Sequence, residues 1–299
     1  MTASFAEKAP FMKPVPRVTI GVPIFNGGEL LRSCLENLRR QTFINFKVVI
    51  FDNRSTDNTP AICKEYVDLD ARFSYHLNEE NIGAWPNLVA LAKACDSEYF
   101  IWRAYDDHSD ENYLEEMVKL LDSHPDAELA VGRVETLREH RSRKKIVTPA
   151  LEGLPTGRTA SIRLMKRAHA SWLYSLWRTR TLQDRLDKVI PCYPFAWGGD
   201  FVVLFETLYR TRVAGSNRST FYQRIIERDY KAAPEQLTVK LENVVTYRNA
   251  ARDFLQSKSG FHAAGWVSKA LLAYLISWFV EHRIYPARKV RKLKRQVCP

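Results

Sequence analysis

The 299-residue chain carries little that would staple it, export it or span a membrane. Its five cysteines (Cys34, Cys63, Cys95, Cys192 and Cys298) are odd in number and scattered, with no C-x-x-C pair. A disulfide framework and a zinc site of the usual spacing are excluded, and a reducing compartment fits best. The opening stretch MTASFAEKAPFMKPVPR holds no apolar run of signal-peptide length, so secretion is not expected and residues 1–16 read as a Pro-containing tail. No internal repeat or low-complexity tract is visible. Composition is ordinary for a globular protein, 45% hydrophobic and 26% charged, which excludes disorder, collagen and coiled coil as the main architecture. The length suits one large domain or two modest ones. Forty-five Lys+Arg against 34 Asp+Glu leave a net charge of +11, which predicts attraction to something anionic. No recognition helix, RNA-binding aromatic motif or zinc spacing accompanies that charge, so nucleic acid is not an expected partner.

The first half alternates strand and helix signals. β-Branched or apolar runs fall at 17–22, 46–51, 73–77 and 98–102. Helical spacing falls between them: Leu30, Leu31, Cys34, Leu35 and Leu38, then about 58–69, then about 85–94. This rhythm predicts an α/β fold, a mainly parallel sheet flanked by helices. Polar loops then gather at the carboxyl ends of the strands, where open α/β sheets bind ligands. They are 23–28, 52–57 and 104–110. Beyond Gly132 the pattern loosens. A basic run at 138–145 and a Pro/Gly stretch at 149–157 read as a mobile surface segment over 135–158. Strand-like signals return at 171–177 and 219–226, with a helix over 200–210. Everything from 234 to 280 looks helical, and a basic tail follows.

Three loops carry possible chemistry. Asp106-Asp107, just past an apolar strand, offers hard oxygens suited to Mg²⁺ or Mn²⁺ bridging a diphosphate. The same residues, with Asp110 and Glu111, equally suit the N-terminus of a helix over 113–121. Asp52 ends a strand and could accept from a base or ribose, while Asp57 is a natural helix cap. Pro23-Ile24-Phe25-Asn26-Gly27-Gly28 is a strand-to-helix turn exposing backbone N–H groups.

Taken together the pieces resemble the family 2 glycosyltransferases of the GT-A fold. The residues that carry the resemblance are Val18-Thr19-Ile20-Gly21-Val22-Pro23-Ile24-Phe25-Asn26, then Val48-Val49-Ile50-Phe51-Asp52-Asn53-Arg54-Ser55-Thr56-Asp57, then Asn81-Ile82-Gly83 with Asn87, then Asp106-Asp107. Order and spacing both match, strongly over 17–132 and weakly over 170–226. The resemblance implies a GT-A-type, Rossmann-like sheet and an inverting, nucleotide-sugar-dependent enzyme. It implies a nucleoside pocket lined by Pro23, Phe25 and Asn26, with Asp52 on the base. Asn53, Asn81, Gly83, Asn87 and Arg224 would complete the donor site. Asp106 falls on the last metal-binding Asp of the family's D-x-D motif, with Asp107 beside it. The first Asp is replaced by Ala104. Trp197-Gly198-Gly199-Asp200-Phe201 resembles the element that presents the general base, here Asp200. The Q-x-x-R-W signature of processive synthases is not found, which argues for transfer of one sugar.

The resemblance thus implies a metal-assisted transferase, with Mg²⁺ or Mn²⁺ as cofactor. It would take a UDP-sugar donor for preference and a glycan or lipid-linked acceptor, in surface polysaccharide synthesis. Ala104 motivates the alternative, a non-catalytic GT-A binding or scaffold protein. The expected organisation is a GT-A domain over 17–230, split into a nucleotide-sugar half (17–132) and an acceptor half (133–230), then a helical extension over 231–299. In that extension 270–280 carry no charge, and seven Lys and Arg follow between 283 and 295. Residues 261–295 are therefore expected to pack on the domain or lie peripherally on the cytoplasmic face of the cell membrane.

Overall fold

The computed structural model describes residues 16–138, 144–157, 159–193 and 198–225, with 246, 249–253, 276–280 and 282 beyond them. Residues 1–15, Trp197 and nearly all of 231–299 lie outside the described residues. The first half alternates as expected: β1 (Val18–Ile24), α1 (Gly28–Arg39), β2 (Phe46–Asp52), α2 (Thr59–Leu69), β3 (Phe73–Leu77), α3 (Ala84–Lys93) and β4 (Tyr99–Trp102). β1 is central. β2 and β4 run parallel to it on either side, and β3 runs parallel to β2. Val18, Ile20, Val22 and Ile24 are all buried, the near-continuous apolar run of a strand covered on both faces. Gly21 is needed there, since a Cβ would stand 2.8 Å from the Phe100 ring. Pairing of β1 with β4 stops at Gly21–Trp102, so Pro23, which has no N–H to give, falls past the end of that ladder.

The second half is built differently. It contains β5 (His108–Ser109), α4 (Tyr113–Ser123), β6 (Leu129–Arg138), β7 (Lys144–Thr148) and α5 (Ala160–Arg167). A 3-10 turn (Ala170–Tyr174) leads into β8 (Leu176–Arg178), α6 (Thr179–Val189), α7 (Gly199–Tyr209) and β9 (Val213–Ile225). The strand order is β3-β2-β1-β4-β8-β6-β9-β5, with β7 on the outer half of β6. β8 is the splice. Its three residues pair antiparallel with β4 on one side and with β6 on the other, joining the parallel half to a mixed half in one sheet.

Two expectations are corrected here. The segment 135–158 is not simply a mobile surface stretch: Val134–Arg138 pairs with Lys144–Thr148 as an antiparallel ribbon. Leu137, Ile146 and Val147 are exposed, so the polar-out alternation that marks a strand is missing from the sequence. The run 171–177 is mostly a 3-10 turn, because Ser171, Trp172 and Leu173 are all buried and no period of two survives.

Trp172 and Trp177 are wholly buried core. In the C-terminal apolar run, Ile276, Phe279 and Val280 are buried, and the Phe279 ring meets Phe201 and Phe205 of α7 edge-on at 5.7 and 5.2 Å. That stretch therefore packs on protein, with burial of Phe279 contributing about 1.5–3 kcal/mol. Among the described residues no helix is long and apolar enough to cross a membrane.

Candidate active site

The loops after β1 and β2 are laced to one another. Asn26, in a left-handed conformation at φ 53°, accepts the Thr56 N–H at 2.8 Å, and its own N–H donates to Ser55 Oγ at 2.8 Å. Asp57 accepts the Thr59 N–H at 3.0 Å as α2 begins, but the N-cap position itself falls one residue later, at Asn58. Asp52 is fully buried, and its two carboxylate oxygens accept from the Ser55 N–H and the Tyr75 hydroxyl, each at 2.8 Å. Its carboxylate thus braces the loop from behind. The next residue, Asn53, lines the open space.

That space is a cleft of about 350 Å³ at the carboxyl ends of β1, β2 and β4. One wall is Pro23, Ile24 and Phe25; the other is Asn53, Asn81, Ala84, Asn87 and Leu88; Ala104, Tyr105 and Tyr174 close the far end. The amides form a chain. Asn53 Oδ1 accepts from the Ile82 N–H (2.9 Å) and from Asn78 Nδ2 (3.1 Å), while Asn53 Nδ2 donates to Asn81 Oδ1 at 2.7 Å. Asn81 Oδ1 also accepts the Gly83 N–H at 2.9 Å, and Asn87 donates to the Phe51 carbonyl at 3.0 Å. Backbone donors fix which way Asn53 and Asn81 face. With two bonds on each Oδ1, both side chains can offer a ligand only N–H groups. Gly83, at φ 88°, makes the turn that starts α3.

The Asp106–Asp107 loop is clamped from two sides. From α1, Asn37 exchanges two hydrogen bonds with the Ser109 backbone, and Ser33 Oγ lies 2.8 Å from His108 Nε2. From β9, the Arg224 N–H donates to Asp107 Oδ1 at 3.0 Å, and the Thr220 N–H and Tyr222 hydroxyl both donate to Asp110 at 2.8 Å. Arg103 lies beneath, wholly buried, donating to Ser109 Oγ at 3.0 Å with Nε and Nη1 unpartnered. Burial pushes the Asp107 carboxyl up to about 7, aided by neighbouring Asp106 and opposed by the Arg224 N–H and Arg103. Asp106 is half-buried and also raised by burial, with Arg224 pulling the other way.

Asp200 sits in the first turn of α7, which opens at Gly198 in a left-handed conformation of φ 73°. Burial lifts its carboxyl to about 6, although Oδ1 accepts the Phe201 N–H at 2.8 Å. Gly199 leaves space for Trp85 of α3; a Cβ would stand 3.1 Å from the indole. The start of α7 is thereby packed onto the cleft wall. Burial and then the charges of Asp200, Asp107 and Asp106 hold the Tyr174 phenol well above its ordinary range. Asp106 thus follows directly on Ala104 and Tyr105 of the cleft lining, and Asp200 lies on the helix that packs against the turn ending at Tyr174. The glycosyl transferase family 2 model matches residues 19–205. The chain belongs to that family.

Within family 2, similar curated proteins include glycosyltransferase GlyA of Streptococcus pneumoniae serotype 4, 29% identical over 123 residues, 41% of this chain and 17% of the relative. GlyG of the same organism is 30% identical over 119 residues, 38% of each chain. The chain spans well under half the length of these relatives. Solved structures agree on the fold. TarS 1–349 of S. aureus in complex with UDP-GlcNAc has a TM-score of 0.56 at 15% identity, covering 94% of this chain and 88% of that one. The mannosyltransferase PcManGT from Pyrobaculum calidifontis, in complex with GDP-Man and Mn²⁺, has 0.52 at 16%, covering 94% and 85%.

Of the residues predicted for the site, Pro23, Phe25, Asn53, Asn81 and Asn87 line the cleft. Asn26, Asp52 and Gly83 shape its loops. Arg224 lies behind the aspartate loop, in a second groove with His108 and Tyr222. Tyr105 and Tyr174 were missed. Tyr105 stands between Ala104 and Asp106 and was legible as a neighbour of the motif; Tyr174 had no signal, being one aromatic in an apolar run. Among the described residues no group of three or more His, Cys, Asp or Glu could hold a metal ion. Asp107 is engaged by Arg224, so the chain offers mainly Asp106. One carboxylate fits a hard cation that arrives with a diphosphate, since Mg²⁺ ordinarily takes one or two carboxylates, phosphate oxygens and water.

Proposed function

We propose that the protein is an inverting glycosyltransferase that moves one sugar from a UDP-sugar to an acceptor hydroxyl. The observation that carries this reading is a cleft at the carboxyl ends of β1, β2 and β4, lined by the amides of Asn53, Asn81 and Asn87 and by Ala104 and Tyr105 just before Asp106, with the helix that carries Asp200 packed on the turn that ends at Tyr174. The base binds at Asn53 and Asn81, whose N–H groups match the carbonyl oxygens of uracil. Guanine would require an acceptor for its N1–H and N2–H₂, and the Asp52 carboxylate is turned away. The diphosphate then extends towards Asp106 and the sugar towards Tyr174. Asp200 accepts the proton of the acceptor hydroxyl as its oxygen attacks the anomeric carbon, and the bond to the diphosphate breaks on the opposite face. UDP leaves with the electron pair. Its charge faces a loop backed by Arg103. Mg²⁺ or Mn²⁺, held by Asp106 and the donor phosphates, would offset the charge on the leaving group.

The acceptor is a glycan or lipid-linked sugar of a surface polysaccharide. Phe279 and its neighbours are spent on α7, so any membrane contact falls to the basic residues of 283–295, which deletion of that segment and liposome co-sedimentation would test. The alternative of a binding protein without catalysis is favoured by Ala104 in the metal motif. Incubation with UDP-, GDP- and dTDP-sugars, with and without Mn²⁺, separates the two. Release of UDP from at least one UDP-sugar is expected, and binding without release under every condition would leave the alternative standing.

A further inference from the structure

The cleft amides and the bracing carboxylate are bonded within the protein, but Tyr174 differs. It ends the 3-10 turn Ala170–Tyr174, which is held by the bond from the Ser171 N–H to His169 Nδ1 at 3.2 Å and from the Trp172 N–H to the His169 carbonyl at 3.0 Å. Its backbone is therefore fixed, and Trp172 and Leu173 beside it are core. The ring lines the cleft, and the hydroxyl has no hydrogen-bond partner among the described residues. The turn packs on α7, the helix that carries Asp200, and Tyr174 shares the cleft lining with Ala104 and Tyr105, the two residues before Asp106. In the proposed reaction the diphosphate lies at Asp106 and the attacking hydroxyl at Asp200. The anomeric carbon must lie between them, about 3–3.5 Å from the attacking oxygen. A side chain in the cleft lining between the Ala104–Tyr105 loop and the start of α7 borders the ring of the transferred sugar.

We propose that the Tyr174 hydroxyl donates a hydrogen bond to a ring substituent of the donor sugar, making Tyr174 a specificity-determining residue for the hexose. The assignment rests on the glycosyltransferase reading. Its chemistry is specific to the sugar: the nucleoside lies at the other end, against Asn53 and Asn81, and the diphosphate has no need of a neutral phenol beside the charged groups. A site that hydrogen-bonds a substrate hydroxyl discriminates against donors that lack or misplace it. Burial, and after it the negative charge of Asp200, Asp107 and Asp106, keeps the phenol protonated, which suits a donor role.

Tyr174→Phe removes the hydroxyl and leaves the ring, and no hydrogen bond among the described residues is lost with it. Calorimetry on the full chain with Mn²⁺ would compare UDP, UDP-glucose, UDP-galactose and UDP-GlcNAc. The expected result is unchanged UDP affinity, about 10-fold weaker binding of the best UDP-sugar, and a narrowed ranking among the three sugars. Unchanged affinities throughout would overturn the assignment, as would an equal loss for UDP and UDP-sugars. A wild-type protein that binds no UDP compound would instead overturn the UDP-sugar reading and the Tyr174 assignment with it. If the wild type binds UDP and its sugars alike, only Tyr174 loses its role.

Discussion

The two ends of the cleft are made by opposite means. At the β1–β2 end, side-chain oxygens are consumed by partners inside the protein: Asn26 by Thr56, Asp52 by Ser55 and Tyr75, Asn53 by Ile82 and Asn78, and Asn81 by Gly83. At the far end, burial leaves Asp106, Asp107 and Asp200 with raised carboxyl pKa values and Arg103 with unpartnered donors. The first end is a finished surface with a fixed polarity. The second holds charge that the protein by itself compensates poorly, which is the condition for binding a cation, a diphosphate or a proton. Desolvated groups of this kind cluster at functional sites because chemistry requires them there.

Substitutions at the charged end should have the largest effects. Asp200→Asn removes the base and should lower transfer by about 10²–10⁴-fold with UDP affinity nearly unchanged, measured by initial rates beside calorimetry. In the wild type the rate should fall as the pH drops through about 6, where Asp200 takes up its proton. Stability should move oppositely. The folded pKa lies above the unfolded value, so the favourable contribution of the protonated form is present at acid pH and is lost as the pH rises through about 6. Asp200→Asn should therefore flatten the melting temperature between pH 4 and 7. An unaltered pH dependence of melting would show that this carboxylate is not desolvated.

Asp106→Ala should come next, weakening UDP and UDP-sugar binding by about 10–100-fold and abolishing any enhancement by Mn²⁺, while uridine binds as before. Equal losses for uridine and UDP would place the diphosphate elsewhere. At the finished end, Asn53→Ala breaks three hydrogen bonds in the amide chain and should weaken uridine and UDP alike, by about 10-fold. A loss confined to UDP would move the base off this wall. The smallest effect on activity should come from Gly215→Ala in β9. A Cβ there would meet the Leu151 carbonyl oxygen, which cannot rotate aside, so stability should fall by about 1–3 kcal/mol with donor affinity retained. Chemical denaturation would measure it.

What the sequence by itself determined is the parallel half. In β1 to β4 and α1 to α3, apolar runs and helical spacing coincide with the elements because each pattern is contained within its own short segment. The loops at their ends followed from the fold class, and Pro23, Phe25, Asn53, Asn81, Asn87 and Asp106 were legible as their polar or motif residues. Only the tertiary structure decided the rest. Whether Asp52 or Asn53 faces the cleft depends on where Tyr75, 23 residues away, places its hydroxyl. β8 is too short to show a period, and β6–β7 exposes apolar residues on one side, so neither reads as a strand until its partners are present. Tyr174 is one aromatic in an apolar run until folding sets it in the cleft lining beside Ala104 and Tyr105 and packs its turn on α7, because those three segments lie far apart in the chain.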